Sequence, residues 1–250
     1  MLRNIFSALS GKSSSAALEN FAAVNADMHS HFIPGIDDGS KTLEESVALI
    51  RSMTELGFRK LITTPHIMSD HFRNTREIIF SGLDNLKAKL KQEYITVELD
   101  AAAEYYLDDG FLKLLKQGNL LTFGSEKYLL VEVSFMNRPE NIAEAAFEML
   151  SRDYKPVLAH PERYPFWAMR FDEYLRLKEM GFLFQLNTNS LAGYYGPDVR
   201  KTAEKLVSQN MIDFIGSDTH HERHINALRQ SLKSKFLAQL FAGNLLNKML

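Results

Sequence analysis

From residue 26 onward, short apolar runs alternate with stretches whose apolar residues recur at helical spacing. The runs Ala26–Ser30, Lys60–Thr64, Ile95–Glu104, Tyr128–Phe135, Pro156–Ala159, Phe182–Asn187 and Ile212–Ser217 predict seven strands. Between them the spacing predicts helices over Leu43–Leu56, 75–93, Phe111–Lys116, Pro139–Arg152, 171–180 and 198–209, with a helical tail from Glu222 to Met249. Thr42 followed by Glu45 is a capping-box pattern, Gly57 a stop, and Pro139 suits a first turn. Alternating strands and helices, without internal repeat or linker, predict one α/β domain on a mostly parallel sheet, either closed into a barrel or doubly wound.

A length of 250 residues fits one such barrel. The formal charge of −2 gives no basic field for nucleic acid. Cysteine is absent, which excludes disulfides, zinc–thiolate sites and a thiolate nucleophile. No run is long and apolar enough for a membrane span. Leu2, Ile5, Phe6 and Leu9 fall at helical spacing before a Gly/Ser-rich break, so residues 1–24 read as an extension, a short amphipathic helix or a frayed end. The segment is too polar for a signal peptide, and the domain proper is expected over 25–250. Together these features set the expectation of a cytoplasmic protein.

Polar residues with metal-binding chemistry collect where strands end. His29 and His31, one residue apart, can share a strand face and close on one cation. His66, Glu104, Glu132 and His160 lie at or near the ends of the next four strands, and Asp218 and His220 follow the last. Carboxyl ends of strands are where α/β folds build sites. Singly, each residue reads as a hydrogen-bonded structural group. Together they form an imidazole–carboxylate set larger than one cation needs, and bridging carboxylates make about two or three divalent ions the expectation. His71, His221 and His224 sit in loop or helix-start contexts and are weighted toward solvated surface roles.

The ordered motifs D-x-H-x-H (27–31), D-D-G (37–39), T-P-H (64–66), the Glu104 strand, A-H-P-E-R (159–163) and S-D-x-H (217–220) resemble the polymerase-and-histidinol-phosphatase (PHP) superfamily. With the S-L-A-G-x-x-G loop (190–196), the chain is more closely similar to its capsule-associated, manganese-dependent bacterial protein-tyrosine phosphatases. The resemblance implies a distorted seven-stranded (βα) barrel of PHP type, related to the TIM barrel. It implies that His29, His31, Glu104 and Asp218 hold one metal, and that Glu104 bridges to a second with Glu132 and His160. Asp38, His66 and His220 would hold a third. Asp38 is preferred over Asp37 because the family's acidic ligand directly precedes a glycine, here Gly39. Manganese is the expected metal, with iron or zinc as alternatives. Arg163 matches the phosphate-binding pattern. Arg223 falls about two residues early for the second arginine, and Arg229 is the other choice.

The implied chemistry is phosphomonoester hydrolysis by metal-activated hydroxide, with an arginine fork on the phosphate. Without cysteine, a phosphocysteine intermediate is excluded. The implied substrate is the phosphotyrosine tail of a bacterial tyrosine kinase of capsule or exopolysaccharide synthesis, which would bring the protein to the inner membrane only through that partner. A small-molecule phosphoesterase of histidinol-phosphatase type and a non-catalytic phosphotail binder are the competing readings. Tyr105, Tyr106, Tyr194 and Tyr195 suit either aromatic walls for a phenyl ring or barrel-rim packing.

Overall fold

Pro65 has no amide hydrogen to give to a ladder; the second strand ends before it, and a further short strand starts at His66. The computed structural model describes residues 18–250, so Leu2, Ile5, Phe6 and Leu9 lie outside the described residues. The strands are β1 Ala26–Asp27, β2 Lys60–Thr63, β3 His66–Ile67, β4 Glu98–Ala101, β5 Glu104–Tyr106, β6 Tyr128–Glu132, β7 Lys155–Ala159, β8 Leu183–Asn187 and β9 Phe214–Gly216. The seven expected strands thus appear as nine shorter ones, because the third is divided and an unexpected short strand, β3, follows Pro65 beyond the expected end of the second at Thr64. Every pair is parallel, in a three-stranded sheet β1-β2-β4 and a six-stranded sheet β3-β5-β6-β7-β8-β9.

The division leaves the register intact. Thr63 pairs with Ala101 before the break and His66 with Glu104 after it, while Ala102 N–H still reaches Thr63 O (2.9 Å) and Glu104 N–H reaches Pro65 O (3.2 Å). At the other side, the chain leaving β1 meets the chain leaving β9 through the bridge Ser30–Thr219, with no ladder between β1 and β9, so the sheets are not closed by continuous hydrogen bonding. The buried Asn247 amide fastens the two from below, donating to Ala26 O (3.0 Å) and Ile215 O (2.8 Å) and accepting from Ile215 N–H (2.9 Å).

The helices are α1 Leu43–Glu55, α2 Arg76–Gln92, α3 Asp109–Gln117, α4 Ile142–Ser151, α5 Phe171–Glu179, α6 Thr188–Leu191, α7 Pro197–Ser208, α8 Glu222–Ser231 and α9 Lys235–Ala242. Single-turn 3-10 segments occupy Pro161–Arg163 and Leu246–Met249. Thr42 caps α1 as expected, accepting from Glu45 N–H (3.2 Å). Pro139 lies outside α4, whose N-cap is Asn141. The expected single tail helix is divided at Ser234, which caps α9.

Period-two alternation sorts the strands between two cores. Tyr128 and Leu130 of β6, Val157 and Ala159 of β7 and Phe214 of β9 join Met28 and Ile62 in an inner cluster. Leu129, Val131, Leu158, Phe184 and Ile215 point the other way, into the larger core under the helices. Further along the inner-facing alternation lie Glu132 of β6 and Gln185 and Asn187 of β8. The inner apolar cluster is therefore a floor, and polar groups stand above it at the strands' carboxyl ends.

Residues 18–24 pack on this body. Phe21 is fully buried, its ring stacked on Phe58 (4.8 Å) and edge-on to Phe241 (5.8 Å), and its N–H donates to Leu56 O (2.7 Å). Phe21→Ala is expected to cost about 3–5 kcal/mol, read as a lower denaturant midpoint at unchanged slope.

Candidate metal centre

Glu104, fully buried at the start of β5, is the centre of the site. Its Oε2 lies 3.1 Å from His29 Nε2, 3.5 Å from His31 Nε2 and 3.2 Å from His66 Nδ1, and its Oε1 lies 3.1 Å from His160 Nε2. Asp218 Oδ1 stands 3.5 Å from both His29 Nε2 and His31 Nε2, which are 3.4 Å apart. Four donors around one cation, at bonds of about 2.1 Å, stand about 3.4 Å apart in a tetrahedron. The separations of His29 and His31 from each other, from Glu104 and from Asp218 fit such a shell, with His29, His31 and Glu104 forming one close group and Asp218 grouping with His29 and His160.

A second convergence lies beside it. Asp38 Oδ1 is 3.4 Å from His66 Nε2 and 3.3 Å from His220 Nε2, with His31 in the same grouping. Glu132 Oε1 lies 3.0 Å from His66 Nδ1, so Glu132 groups with His66 and Glu104, while His160 groups with His29 and Asp218. This differs from the implied partition, which paired Glu132 with His160. A neutral imidazole offers one lone pair, so His66 can serve only one of its two groupings. All nine expected ligands are within one cluster; how they divide among ions is a matter of side-chain rotation.

Neighbouring groups aim the candidate ligands. His29 Nδ1 donates to Gln185 Oε1 (2.8 Å) and His31 Nδ1 to Asp37 Oδ2 (2.8 Å), turning both Nε2 atoms inward. Asp37 also accepts from Gly39 N–H (2.9 Å) and His66 N–H (3.2 Å). The adjacent carboxylates divide accordingly, Asp37 buried beneath His31 and Asp38 facing the cleft. Asp218 splits its oxygens too, for Oδ2 accepts from Arg163 Nη1 (2.7 Å) and Asn187 Nδ2 (2.9 Å). His160 and Asp218 hold φ of +33° and +50°, a left-handed conformation costing a side-chain-bearing residue about 1–3 kcal/mol. Beneath His29, a Cβ on Gly216 would stand 2.6 Å from His29 Cβ and 2.7 Å from Gln185 Nε2, so only glycine fits.

Charge follows from this crowding. Burial opposes a charged His66 ring, but Glu104 and Glu132 outweigh it and hold the imidazole up to about 9. Burial likewise opposes charge on Glu104, yet His29 and His66 keep its carboxyl well below the usual range. The carboxylates demand cations, and the imidazoles supply them by taking protons that a metal would displace.

The cleft above the cluster has a volume of about 270 Å³ and is lined by the site carboxylates and imidazoles with Phe135, Arg163 and Tyr195. Arg223 and Arg229 lie elsewhere. Both are on the exposed face of α8, and Arg229 contacts Glu222 (3.5 Å) and Asn226 (3.2 Å). The inward face of that helix's start carries the histidines expected at the surface: His221 and His224 line the cleft, and His224 Nδ1 accepts from His220 N–H (3.1 Å). Burial first, then neighbouring histidines, lower His224 to about 3 despite Asp218. His71 is exposed. Tyr105 is buried, accepting from Leu121 N–H (2.8 Å), while Tyr194 packs edge-on to His224. Gln185, Asn187 and the buried Glu162 went unforeseen, although two polar residues on alternate positions of Phe182–Asn187 are a readable signal.

A family model described as capsular polysaccharide synthesis, CpsB/CapC, matches residues 25–238. The chain is 28% identical over 200 residues to the tyrosine-protein phosphatase YwqE of Bacillus subtilis, covering 80% of this chain and 79% of that protein. It is also 28% identical over 200 residues to the tyrosine-protein phosphatase CpsB of Streptococcus agalactiae serotype V, covering 78% and 82%. A chain from the crystal structures of YwqE from B. subtilis and CpsB from Streptococcus pneumoniae, described as unique metal-dependent tyrosine phosphatases, superposes with a TM-score of 0.78 at 26% identity, covering 89% of this chain and 94% of that one. The histidinol phosphate phosphatase of Lactococcus lactis shares the fold, with a TM-score of 0.51 at 12% identity over 84% of this chain and 92% of that one.

Because His66 is protonated below about 9 and must lose that proton to ligate, metal affinity should rise with pH up to that value and fall below it. Calorimetric titration in buffers of different ionisation heat should register proton release at neutral pH. Gly216→Ala is expected to weaken metal binding about 10–100-fold by displacing His29, measurable by competition with a chelating dye.

Proposed function

The chain belongs to the CpsB/CapC family of capsular polysaccharide synthesis, and from that premise we propose that it is a metal-dependent protein-tyrosine phosphatase, a phosphoric monoester hydrolase. The observation that carries the reading is the convergence of histidines and carboxylates around Glu104 in one cleft that also holds Arg163. The relatives named as tyrosine phosphatases support it. Since the chain has no cysteine, the phosphoryl group cannot pass through a thiolate.

In this reading the whole of 25–250 works as one unit, a distorted PHP-type barrel whose mouth is the cleft. His29, His31, Glu104 and Asp218 hold one ion, and Asp38, His66, Glu132, His160 and His220 complete the shells of one or two more. Imidazole and carboxylate donors without sulfur suit manganese, with iron or zinc as alternatives. Bound ions would acidify a water and draw charge from the phosphoryl oxygens.

The chain's own groups do the rest. Arg163, its fork open to the cleft, binds the phosphate oxygens, a planar match that lysine lacks. Asp37 and Gln185 hold His31 and His29 inward throughout. Phe135 and Tyr194, both 37% exposed, leave apolar surface at or beside the mouth for an aromatic leaving group. The substrate proposed is the phosphotyrosine tail of a bacterial tyrosine kinase in capsule or exopolysaccharide synthesis. No helix among the described residues is long and apolar enough to cross a membrane, so any membrane association would come through that partner.

Loaded with manganese, the protein should release phosphate from phosphotyrosyl peptides far faster than from histidinol phosphate; the reverse preference would sink the substrate assignment. His160→Ala should lose at least the roughly 100-fold typical of disturbed metal surroundings while its circular dichroism stays unchanged. Full activity in that variant would refute a catalytic cluster.

A further inference from the structure

Arg163 is held on two sides by aromatic faces. Its guanidinium carbon lies 4.2 Å from the centroid of Tyr195 and 4.9 Å from that of Phe135. Tyr195 does more than stack, for its hydroxyl accepts from Asn187 Nδ2 (3.0 Å), and that same nitrogen donates to Asp218 Oδ2 (2.9 Å). Asp218 Oδ2 accepts in turn from Arg163 Nη1 (2.7 Å). The contacts therefore close a ring: Tyr195 face, Arg163, Asp218, Asn187, Tyr195 hydroxyl.

Both ends of the ring are anchored. Glu162, the residue before Arg163, accepts from Asn187 N–H (3.0 Å) and from the Ser190 hydroxyl (2.6 Å). Asn187 Oδ1 accepts from Asn189 N–H (3.1 Å). The 3-10 turn that carries Arg163 and the strand end that carries Asn187 are thus tied together beneath the loop that delivers Tyr195. Arg163 spends one nitrogen on Asp218, and among the described residues it bonds no other side chain, although it lines the cleft.

We propose that Tyr195 is a positioning residue that holds Arg163 over the cluster with its remaining N–H groups turned to an incoming phosphate. This rests on the reading of the cleft as a phosphate site. A guanidinium on a flexible stem loses much rotamer freedom when it binds an anion. The Tyr195 ring and the Asn187–Asp218 link impose that order in advance, and a desolvated cation over a ring face is strongly held. Mere rim packing by Tyr195 would affect stability alone.

The test uses the full manganese-loaded chain and two readouts, calorimetric binding of inorganic phosphate and the split of KM against kcat on a phosphotyrosyl peptide. Tyr195→Leu should weaken phosphate binding and raise KM by about tenfold at unchanged metal content, while Tyr195→Phe, which keeps the ring, should stay within about twofold of the parent. In an Arg163→Ala background, Tyr195→Leu should add nothing. Parental phosphate affinity in Tyr195→Leu overturns the proposal, as does an equal loss in Tyr195→Phe or a full further loss in the Arg163→Ala background. A parent protein that binds phosphate but leaves phosphotyrosyl peptides intact refutes the phosphatase assignment and not the positioning role; one that binds no phosphate refutes both.

Discussion

The buried carboxylate of Glu104 is the constraint on which the rest of this structure depends. Four imidazoles stand within 3.5 Å of it, and neither the carboxylate nor those of Asp218 and Glu132 have much water to solvate them. An unpaired charge in such surroundings costs several kcal/mol. The fold therefore has to deliver cations to this point, as protonated rings or as metal ions. Parallel strands suit the task because all their carboxyl ends arrive at one side, each contributing a residue or two.

Delivery at that density strains the chain locally. His160 and Asp218 take left-handed backbone where their strands end, and Gly39 and Gly216 leave no room for a side chain against His31 and His29. These costs sit beside the cluster, while the packing that offsets them lies below, in the inner apolar floor and in the wider core between sheet and helices. Separation of a stable base from a strained rim is how such folds tolerate demanding sites. The contacts around Arg163 extend the same logic, since Asp218 joins the cation cluster through one oxygen and the arginine through the other.

Much of this is legible along the chain. His29, His31, Glu132, His160, Asp218 and His220 stand at or just past strand ends as strand reading expects, whereas His66 and Glu104 open the short strands β3 and β5; of the adjacent carboxylates, Asp38 lines the cleft. The helix start at Thr42 is readable because a cap is decided by residues within one turn. Beyond the S-D-x-H motif the reading fails for a definite reason. Distance from that motif favours Arg223, but α8 begins at Glu222, and its rotation sends Arg223 outward and His224 inward.

The sequence by itself determined most of the strands, their alternation with helices and the donor types that collect in the cleft, since period, capping and donor type are local properties. Tertiary structure alone decided which carboxylate supports a ring and which faces the cleft, how Glu132 and His160 are grouped, that Gln185 and Asn187 contact His29 and Asp218, and which of the tyrosines faces Arg163. Those assignments depend on contacts between residues far apart in the chain, where an ångström of strand register or one helical rotation changes the partner.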